Sequence, residues 1–278
     1  MKKIGIIGQG FVGTAVREGM KSHYEMLCYD KDSSKYSNSN LEEIANSTDI
    51  SFMCLPTPMR KDGSCDTRII ESALQDLENI LKKDFIIILK STVIPGTTDR
   101  LNKLFKKIKI VFNPEFLTEA ASIEDYKNQT RIIIGGDRPE STTIKRIFEK
   151  AFPSIPIIKT SPLIAETIKY VTNCFLATKV SFANEIYQIC KALDIDYDKV
   201  IEYSKYDNRL GNSHWSVPGP DGDFGFGGHC FPKDIEALRY LAKELSVDSI
   251  LLDAVIDKNL SVRKDKDWEK QIGRAVSD

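Results

Sequence analysis

The sequence has no apolar run of the roughly 20 residues that a membrane-spanning helix needs. Its six cysteines include neither a CxxC pair nor the spacing of a zinc site, and no metal partner lies near His229. The formal charge of −1 provides no excess of cations for binding nucleic acid. The apolar run in the amino-terminal segment MKKIGIIGQG is too short for a secretion signal. We therefore expect a cytoplasmic protein with reduced thiols and without a metal, a nucleic-acid partner or a membrane anchor.

Strand-like and helical patterns alternate over the first part of the chain. Short apolar runs are at 3–7, 25–29, 50–55, 85–89, 108–112, 131–134 and 155–158, and helical patterns separate several of them. This alternation predicts βαβ units and a doubly wound parallel sheet of the Rossmann type. We therefore predict an α/β protein whose first domain, of the Rossmann type, covers residues 1–160.

The pattern changes at Ser161, after which the strand-like runs stop. Residues 162–193 form one long helical pattern that Ser161 can cap, and further helices are expected at 196–205, 233–245 and 248–263. Residues 161–278 are therefore expected to form an all-α domain with a long central helix. We expect the charged last segment to be a frayed or solvent-facing helix.

A glycine motif, GQGFVG at 8–13, lies between the first strand and the first helix. Gly8 permits a tight turn, Gly10 lets the backbone approach a pyrophosphate, and Gly13 lets the helix pack on the sheet. The helix that begins at Phe11 and Val12 offers N–H groups and a positive dipole end to the phosphates.

An acid ends the second strand of this predicted unit. Asp30 is suited to bind both hydroxyls of an adenine ribose and would repel the extra phosphate of NADP. NAD is therefore the expected cofactor. Lys35 could reach the same ribose, although it also fits an ordinary surface lysine.

The stretch FGFGGHCFPKD at 224–234 places Cys230 in a glycine-rich turn before a helix. By itself this pattern fits either a packed thiol or a nucleophile with the surrounding backbone cleared. His229 invites a Cys–His dyad, but neighbours in sequence rarely face each other, so we interpret it as a loop histidine.

With these segments the chain resembles the UDP-glucose/GDP-mannose dehydrogenase family, and within it the branch that oxidises UDP-glucose. The matching segments, in family order, are GQGFVG, LPTP at 55–58, KSTVIPGTT at 90–98, NPEFLTEA at 113–120, AETIKYVTNCFLATKVSFANE at 165–185, DNRLGN at 207–212 and FGFGGHCFPKD. They cover about residues 1–263. The resemblance implies that two NAD oxidise the C6 alcohol of a nucleotide sugar, such as UDP-glucose, to the uronate.

The resemblance also implies roles for individual residues. Cys230 attacks the aldehyde to give a thiohemiacetal and then a thioester. Lys169 and Asp234 bracket the reacting oxygen, and Glu115 is the base for hydrolysis. The implied catalytic residues are Cys230, Lys169, Asp234, Asn173, Glu115 and Thr92.

Two binding sets follow from the same resemblance. The implied NAD-binding residues are Gly8, Gly10, Phe11, Val12, Gly13, Asp30, Lys35, Thr57, Thr92, Glu119 and Lys233. The implied substrate-binding residues are Glu115, Phe116, Leu117, Lys169, Asn173, Arg209, Phe226 and Gly227. Of these, Arg209 is expected to reach the sugar site of a neighbouring subunit.

Simpler interpretations of the same residues stay open. Lys169 could pair with Glu166 on its own helix, and Glu115 and Glu119 could be surface carboxylates. Thr92 could be an ordinary residue at the end of a strand.

Alternatives for the whole chain stay open as well. Family members carry a third domain that contacts the nucleotide, and this sequence has no segment that resembles it. A separate chain could supply that domain, or the chain could be a non-catalytic NAD-binding or subunit-interaction module. GDP-mannose is an alternative substrate. A two-electron dehydrogenase of the hydroxyacid type needs no cysteine, so Cys230 argues against it.

The long helix also predicts self-association. Its apolar residues run nearly all round it, more than one domain face needs: Leu163, Ile168, Val171, Phe175, Leu176, Val180, Phe182, Ile186 and Ile189. We expect a homodimer built on residues 162–193.

Overall fold

The computed structural model describes residues 1–277, which form two compact units. The first contains Met1–Thr57 and Thr67–Lys169, and the second contains Pro58–Asp66 and the residues from Tyr170 onward. The division falls inside a long helix, whereas the sequence pattern placed it at residue 160, where strands give way to helices. The short segment 58–66 joins the helical unit, which no sequence pattern indicated.

The first unit is a seven-stranded sheet covered by helices. Its strands are β1 (Lys3–Ile7), β2 (Glu25–Tyr29), β3 (Ile50–Met53), β4 (Phe85–Leu89), β5 (Ile108–Phe112), β6 (Ile132–Gly135) and β7 (Ile157–Thr160). Its helices are α1 (Phe11–Met20), α2 (Leu41–Ser47), α3 (Arg68–Ile80), α4 (Thr97–Leu104), α5 (Ser122–Lys127) and α6 (Glu140–Ala151), followed by the start of α7 (Pro162–Ala192).

The strand order is β2-β1-β3-β4-β5-β6-β7. The chain leaves β1 toward β2 on one side and then returns to β3 on the other side, so the order reverses between β1 and β3. In doubly wound sheets the crevice at such a reversal, at the carboxyl ends of the strands, is where dinucleotides bind. The turn after β1 contains Gly8 and Gly10.

Both faces of the sheet are buried. Within β4, Phe85, Ile87 and Leu89 belong to one apolar cluster, whereas Ile86 and Ile88 pack in the other. This alternation follows from the two-residue period of a strand. Nearly continuous apolar strands are what a sheet with helices on both faces requires, so the expected Rossmann-type class is confirmed.

One pairing departs from the expected parallel sheet. β5 and β6 are antiparallel and share a single residue pair, Phe112 with Gly135. β6 and β7 are parallel to each other. The orientation of β6 depends on the path of the connection through α5, which apolar periodicity does not encode.

The second unit is helical apart from its loops. It contains the rest of α7, then α8 (Tyr197–Ser204), α9 (Phe231–Glu244) and α10 (Ile250–Val262), with 3₁₀ helices at Asn208–Leu210 and Asp267–Lys270. A core cluster of this unit includes Ala183, Cys190, Tyr197 and Trp215. Trp215 is therefore part of the buried packing of this unit.

The prediction of a solvent-facing helix after residue 262 is wrong. Beyond the short 3₁₀ helix the segment turns back, and Trp268 and Ala275 are buried. The N–H of Met59 donates to the carbonyl of Ala275 and the N–H of Ser277 donates to the carbonyl of Met59, each at 2.8 Å. The tail pairs with the 58–66 segment, a tertiary contact that its local charge density concealed.

Candidate active site

The turn after β1 forms a close-packed cradle around Gly8 and Gly13. A Cβ added to Gly13 would lie 1.9 Å from the carbonyl oxygen of Gly8, and Gly8 has a φ of +94°. A Cβ added to Gly10 would meet nothing within 4 Å. Thus two glycines are required by the fold, while Gly10 leaves open space where a pyrophosphate would approach the backbone.

The start of α1 and the end of β2 complete this cradle. Gly10 is the N-cap of α1, so the helix presents the N–H groups of its first turn, from Phe11 and Val12, at this end of the sheet. Asp30 follows β2, and its carboxylate accepts hydrogen bonds from the N–H groups of Gln9, at 2.6 Å, and Asp32, at 2.9 Å. These residues therefore fit a dinucleotide whose adenine ribose carries two free hydroxyls.

The other residues predicted to bind NAD lie in the first unit, with one exception. Thr57 and Thr92 are buried, and the Thr57 hydroxyl donates to the Thr92 carbonyl at 2.7 Å. Lys35 and Glu119 are exposed. Lys233 belongs to the second unit.

Glu115 and Lys169 form a buried ion pair in the first unit. The Lys169 ammonium donates to Glu115 Oε1 at 2.8 Å and to the Glu115 carbonyl at 2.7 Å. Both residues are more than nine-tenths buried. Burial opposes the anion, but Lys169, the N–H of Leu117 and the charge of Lys90 outweigh it, so the pKa of Glu115 lies below its usual value.

This pairing resolves the simpler interpretations of these residues. Glu115 is not a surface carboxylate. Glu166 instead accepts hydrogen bonds from the N–H groups of Gly96 and Thr98, at 2.6 and 2.7 Å, at the start of α4. A carboxylate at a helix amino terminus satisfies orphan donors and complements the helix dipole. Phe116 lies beside the pair, its ring centroid 5.7 Å from Lys169 Nζ.

Cys230 lies in a polar cluster of the second unit. It is the N-cap of α9, with Pro232 in the first turn of that helix. Lys233 and Asp234 form an ion pair, and Asp234 Oδ2 accepts from Asn173 Nδ2 at 2.6 Å. Asp234 is 1% exposed and Asn173 is 7% exposed, so this hydrogen bond is shielded from water.

Lys233 keeps its positive charge although it is buried. Burial opposes the cation, but Asp234, the Cys230 thiolate and Cys65 together raise the pKa of Lys233 above its usual value. Lys233 and the positive end of α9 thus place positive charge beside Cys230. Cys65, in the 58–66 segment, is a member of this cluster that the sequence did not reveal, because no spacing relates it to Cys230.

Side chains of α7 and α10 hydrogen-bond to the backbone of the loop before Cys230 and hold that loop in place. The side chain of Asn259 accepts from the N–H of Phe226 at 2.7 Å and donates to its carbonyl at 3.0 Å. Asn184 accepts from the N–H of Gly225, at 3.1 Å. A Cβ on Gly227 would lie 2.1 Å from Arg263 Nη2. Gly225 and Gly227 are therefore required by close contacts with Asn259 and Arg263, whereas a Cβ on Gly228 would meet nothing within 4 Å.

Arg209 is exposed, unlike these buried groups. Its side chain is 89% exposed and is ion-paired with Asp207 at 2.5 Å. Leu117 is partly buried, next to the pair formed by Glu115 and Lys169.

Residues 1–277 contain no group of three or more histidine, cysteine or acidic side chains placed to hold a metal ion. In the same range no helix has both the length and the apolar character needed to cross a bilayer.

Comparison of the chain with known protein families identifies its family. Residues 36–152 match the family model described as the UDP-glucose/GDP-mannose dehydrogenase family, NAD binding domain, and residues 164–261 match the central domain of the same family. The chain belongs to the UDP-glucose/GDP-mannose dehydrogenase family. It is therefore a member of a family of NAD-dependent nucleotide-sugar dehydrogenases, and its cofactor is NAD.

Individual relatives in this dehydrogenase family are named for two different substrates. The chain is 32% identical to UDP-glucose 6-dehydrogenase TuaD of Bacillus subtilis (strain 168), over 93% of this chain and 63% of that protein. It is 35% identical to a GDP-mannose 6-dehydrogenase of Pseudomonas syringae pv. tomato, over 79% of this chain and 52% of that protein. Among solved structures, a UDP-glucose dehydrogenase from Pyrobaculum islandicum aligns with a TM-score of 0.84 and 28% identity, covering 94% of this chain and 68% of that one. The chain thus spans about half to two-thirds of the length of these curated relatives.

Proposed function

We propose that the protein oxidises the C6 alcohol of a nucleotide sugar to the carboxylate in two NAD-dependent steps, with UDP-glucose as the substrate. The observation that carries the proposal is the position of Cys230 at the amino terminus of α9, beside Lys233 and the buried Asp234–Asn173 hydrogen bond. A two-electron dehydrogenase needs no such thiol. A thiolate nucleophile fits a reaction in which an aldehyde must be held between two oxidations.

The proposed reaction consists of two oxidations followed by one hydrolysis. NAD, when bound, accepts a hydride in each oxidation, and the hydroxyl proton released each time passes to water. Between them, the sulfur of Cys230 bonds to the aldehyde carbon, and oxidation of the thiohemiacetal leaves a thioester. Water then adds to the thioester carbon, Glu115 accepts the proton of that water, and the carbon–sulfur bond breaks to return the Cys230 thiol and release the uronate.

The remaining residues have supporting roles in the proposal. Lys169 stabilises negative charge that develops on the reacting oxygen, and Asp234 lies on the other side of that oxygen. Asn173 holds the sugar. Gly8, Gly10, Phe11, Val12, Gly13, Asp30, Lys35, Thr57, Thr92, Glu119 and Lys233 contact NAD, and Phe116, Leu117, Arg209, Phe226 and Gly227 contact the sugar nucleotide.

GDP-mannose is the second candidate substrate, favoured by the 35% identity to a GDP-mannose 6-dehydrogenase. The two candidates share the C6 chemistry and differ in sugar and base. A parallel assay of both sugar nucleotides with NAD decides between them, and the preferred one gives the higher kcat/KM.

We also propose that the protein is a homodimer formed through α7. Apolar side chains on this helix are exposed, among them Val171, Phe175, Phe182 and Ile189, at 60, 65, 55 and 48%. A stripe of this kind on one helix is typical of an interface. We propose as an alternative that a separate chain completes the nucleotide site. Mixing the protein with candidate chains tests this, and a gain in activity would support it.

Replacement of the nucleophile tests the proposed reaction. Cys230→Ser is expected to lower uronate formation from UDP-glucose by at least about a thousandfold while NAD still binds, because serine is a weaker nucleophile. Cys190→Ser, which changes a buried thiol of the same unit, is the matched control and should keep its activity. Normal uronate formation by Cys230→Ser would remove Cys230 from the mechanism.

A further inference from the structure

Lys90 is a buried lysine whose charge interacts with those of Glu115 and Lys169. Lys90 follows β4 directly, one residue beyond the aligned residues Met53, Leu89 and Phe112 of three neighbouring strands. Its residue exposure is 3%. Lysine is almost never buried to this extent unless its ammonium has a specific partner.

The hydrogen-bonding partner of Lys90 is an amide residue. Its Nζ donates to Asn113 Oδ1 at 2.7 Å and to the Asn113 carbonyl at 3.3 Å. Asn113 in turn donates through Nδ2 to the carbonyl of Ile133 in β6 at 2.6 Å. Asn113 is thus held from both sides, between the end of β4 and the neighbouring strand.

This arrangement leads directly to Glu115. Only Pro114 separates Asn113 from Glu115, and Lys169 binds both the carbonyl and the carboxylate of Glu115. A shift of Asn113 would therefore move the backbone of Glu115 and change the distance between its carboxylate and Lys169. An apolar residue in place of Lys90 would fill the same space at lower desolvation cost, so packing alone does not account for a lysine.

The charged and titratable groups around Lys90 come from four elements. Cys54 follows β3, Glu115 follows β5, Lys169 is on α7, and the Tyr126 ring of α5 has its centroid 5.6 Å from Lys90 Nζ. Burial raises the pKa of the Cys54 thiol to about 12, so it is neutral near pH 7. Glu115 is therefore the anion near Lys90. Burial raises the pKa of Glu115, Lys169 is the main group that lowers it, and the charge of Lys90 lowers it further.

We propose that Lys90 is a positioning residue for Glu115, which it holds in place through Asn113 and keeps ionised through its positive charge. The inference rests on the proposed function, in which Glu115 accepts a proton during thioester hydrolysis. Lys90 itself touches neither substrate nor thiol in this account. It sets the position and the protonation state of the base.

The kinetic test uses Lys90→Met, which keeps the length of the side chain, and Lys90→Gln, which keeps a donor without the charge. We expect the acid limb of the pH profile of kcat to move upward by about one pH unit in both variants, because an opposite charge near Glu115 is lost and Glu115 acts on the enzyme-bound thioester. Lys109→Met is the control, since Lys109 is an exposed lysine on the adjacent β5. Superimposable profiles for wild type and both Lys90 variants would overturn the proposal.

A second measurement needs no turnover. The carboxyl ¹³C signal of Glu115, assigned by its loss in Glu115→Gln, is titrated in protein labelled with [¹³C]glutamate. In wild type we expect a second inflection near pH 8, because burial lowers the pKa of Lys90 to about 8. That inflection should be absent from Lys90→Met, whose Glu115 midpoint should be higher.

The two measurements separate two kinds of failure. If wild type oxidises no nucleotide sugar but Glu115 responds to Lys90, the proposed function fails and the coupling stands. If wild type is active but its Glu115 signal has no second inflection and an unchanged midpoint in the variants, the role of Lys90 is wrong. Since the wild-type titration alone reveals the inflection, poor folding of a variant still leaves a decisive result.

Discussion

Two glycines of the nucleotide cradle have different physical tasks. Gly13 must lack a side chain because its α-carbon lies against the carbonyl of Gly8. Gly10 has ordinary backbone angles, with φ of −68°, and faces open space. The lack of a side chain is therefore needed at Gly13 for folding and at Gly10 for binding the ligand.

We therefore predict opposite results for two alanine substitutions. Gly13→Ala should lower the free energy of unfolding by about 1–3 kcal/mol, because its Cβ overpacks the turn. Gly10→Ala should unfold like wild type but weaken NAD binding by at least about tenfold, because its methyl group intrudes on the pyrophosphate. Thermal unfolding and calorimetric titration with NAD distinguish them. Equal NAD affinity in Gly10→Ala and wild type would contradict the cradle.

The burial of Lys90 predicts a pH-dependent contribution to stability. The pKa of Lys90 is about 8 in the folded protein and ~10.4 in an unfolded chain, so between these values the unfolded state binds more protons. The cost of the buried charge is complete below pH 8 and is relieved as pH rises toward 10.

The stability of wild type relative to Lys90→Met should therefore increase by up to about 3 kcal/mol between pH 7 and pH 10, since each pKa unit corresponds to ~1.4 kcal/mol. Urea unfolding of both proteins at each pH measures it, and the comparison cancels other titrating groups. A difference that stays constant over this range would mean that Lys90 does not titrate there.

Individual residues differ in how well the sequence indicated them. Cys230, Lys169 and Asn173 were predicted from motifs that resemble a known family, and the structure places Lys169 and Asn173 in buried polar contacts. Lys90 lies inside a matching motif, KSTVIPGTT, yet received no role. A lysine after a strand usually reaches solvent, and only the tertiary contact with Asn113 shows otherwise.

At the scale of elements, strands and long helices were predicted closely because burial on both sheet faces produces continuous apolar runs. β1, β2, β4 and β5 have the predicted bounds. α2 (Leu41–Ser47) and α5 (Ser122–Lys127) were missed because one or two turns give too little periodicity to detect. The antiparallel contact of β5 with β6 and the folded tail depend on contacts distant in sequence.

The contact of α10 with the glycine loop gives a prediction at this scale. Asn259→Ala leaves the N–H and carbonyl of Phe226 without partners, which should cost about 1–3 kcal/mol of stability. Because the loop leads to Cys230, kcat should fall by about 10- to 100-fold. Asp257→Ala, an exposed change on the same helix, is the control. Wild-type kcat in folded Asn259→Ala would show that this contact does not position the nucleophile.

At the scale of the whole molecule, the exposed apolar stripe on α7 predicts the oligomeric state. Wild type should be a dimer by light scattering at micromolar concentration. Phe175→Lys combined with Ile189→Lys should yield folded monomers, since two charges would be buried without partners. Lys191→Glu changes an exposed charge on the same helix and should leave the dimer intact. A wild-type monomer would remove α7 as an interface.

The ratio of NADH formed to sugar nucleotide consumed tests the central claim most directly. Purified protein is mixed with excess NAD and a limiting amount of UDP-glucose or GDP-mannose, and both quantities are measured at completion. The four-electron reaction through Cys230 predicts two NADH for each sugar consumed and a uronate as the product. One NADH for each sugar, or no NADH from a protein that binds NAD, would contradict it.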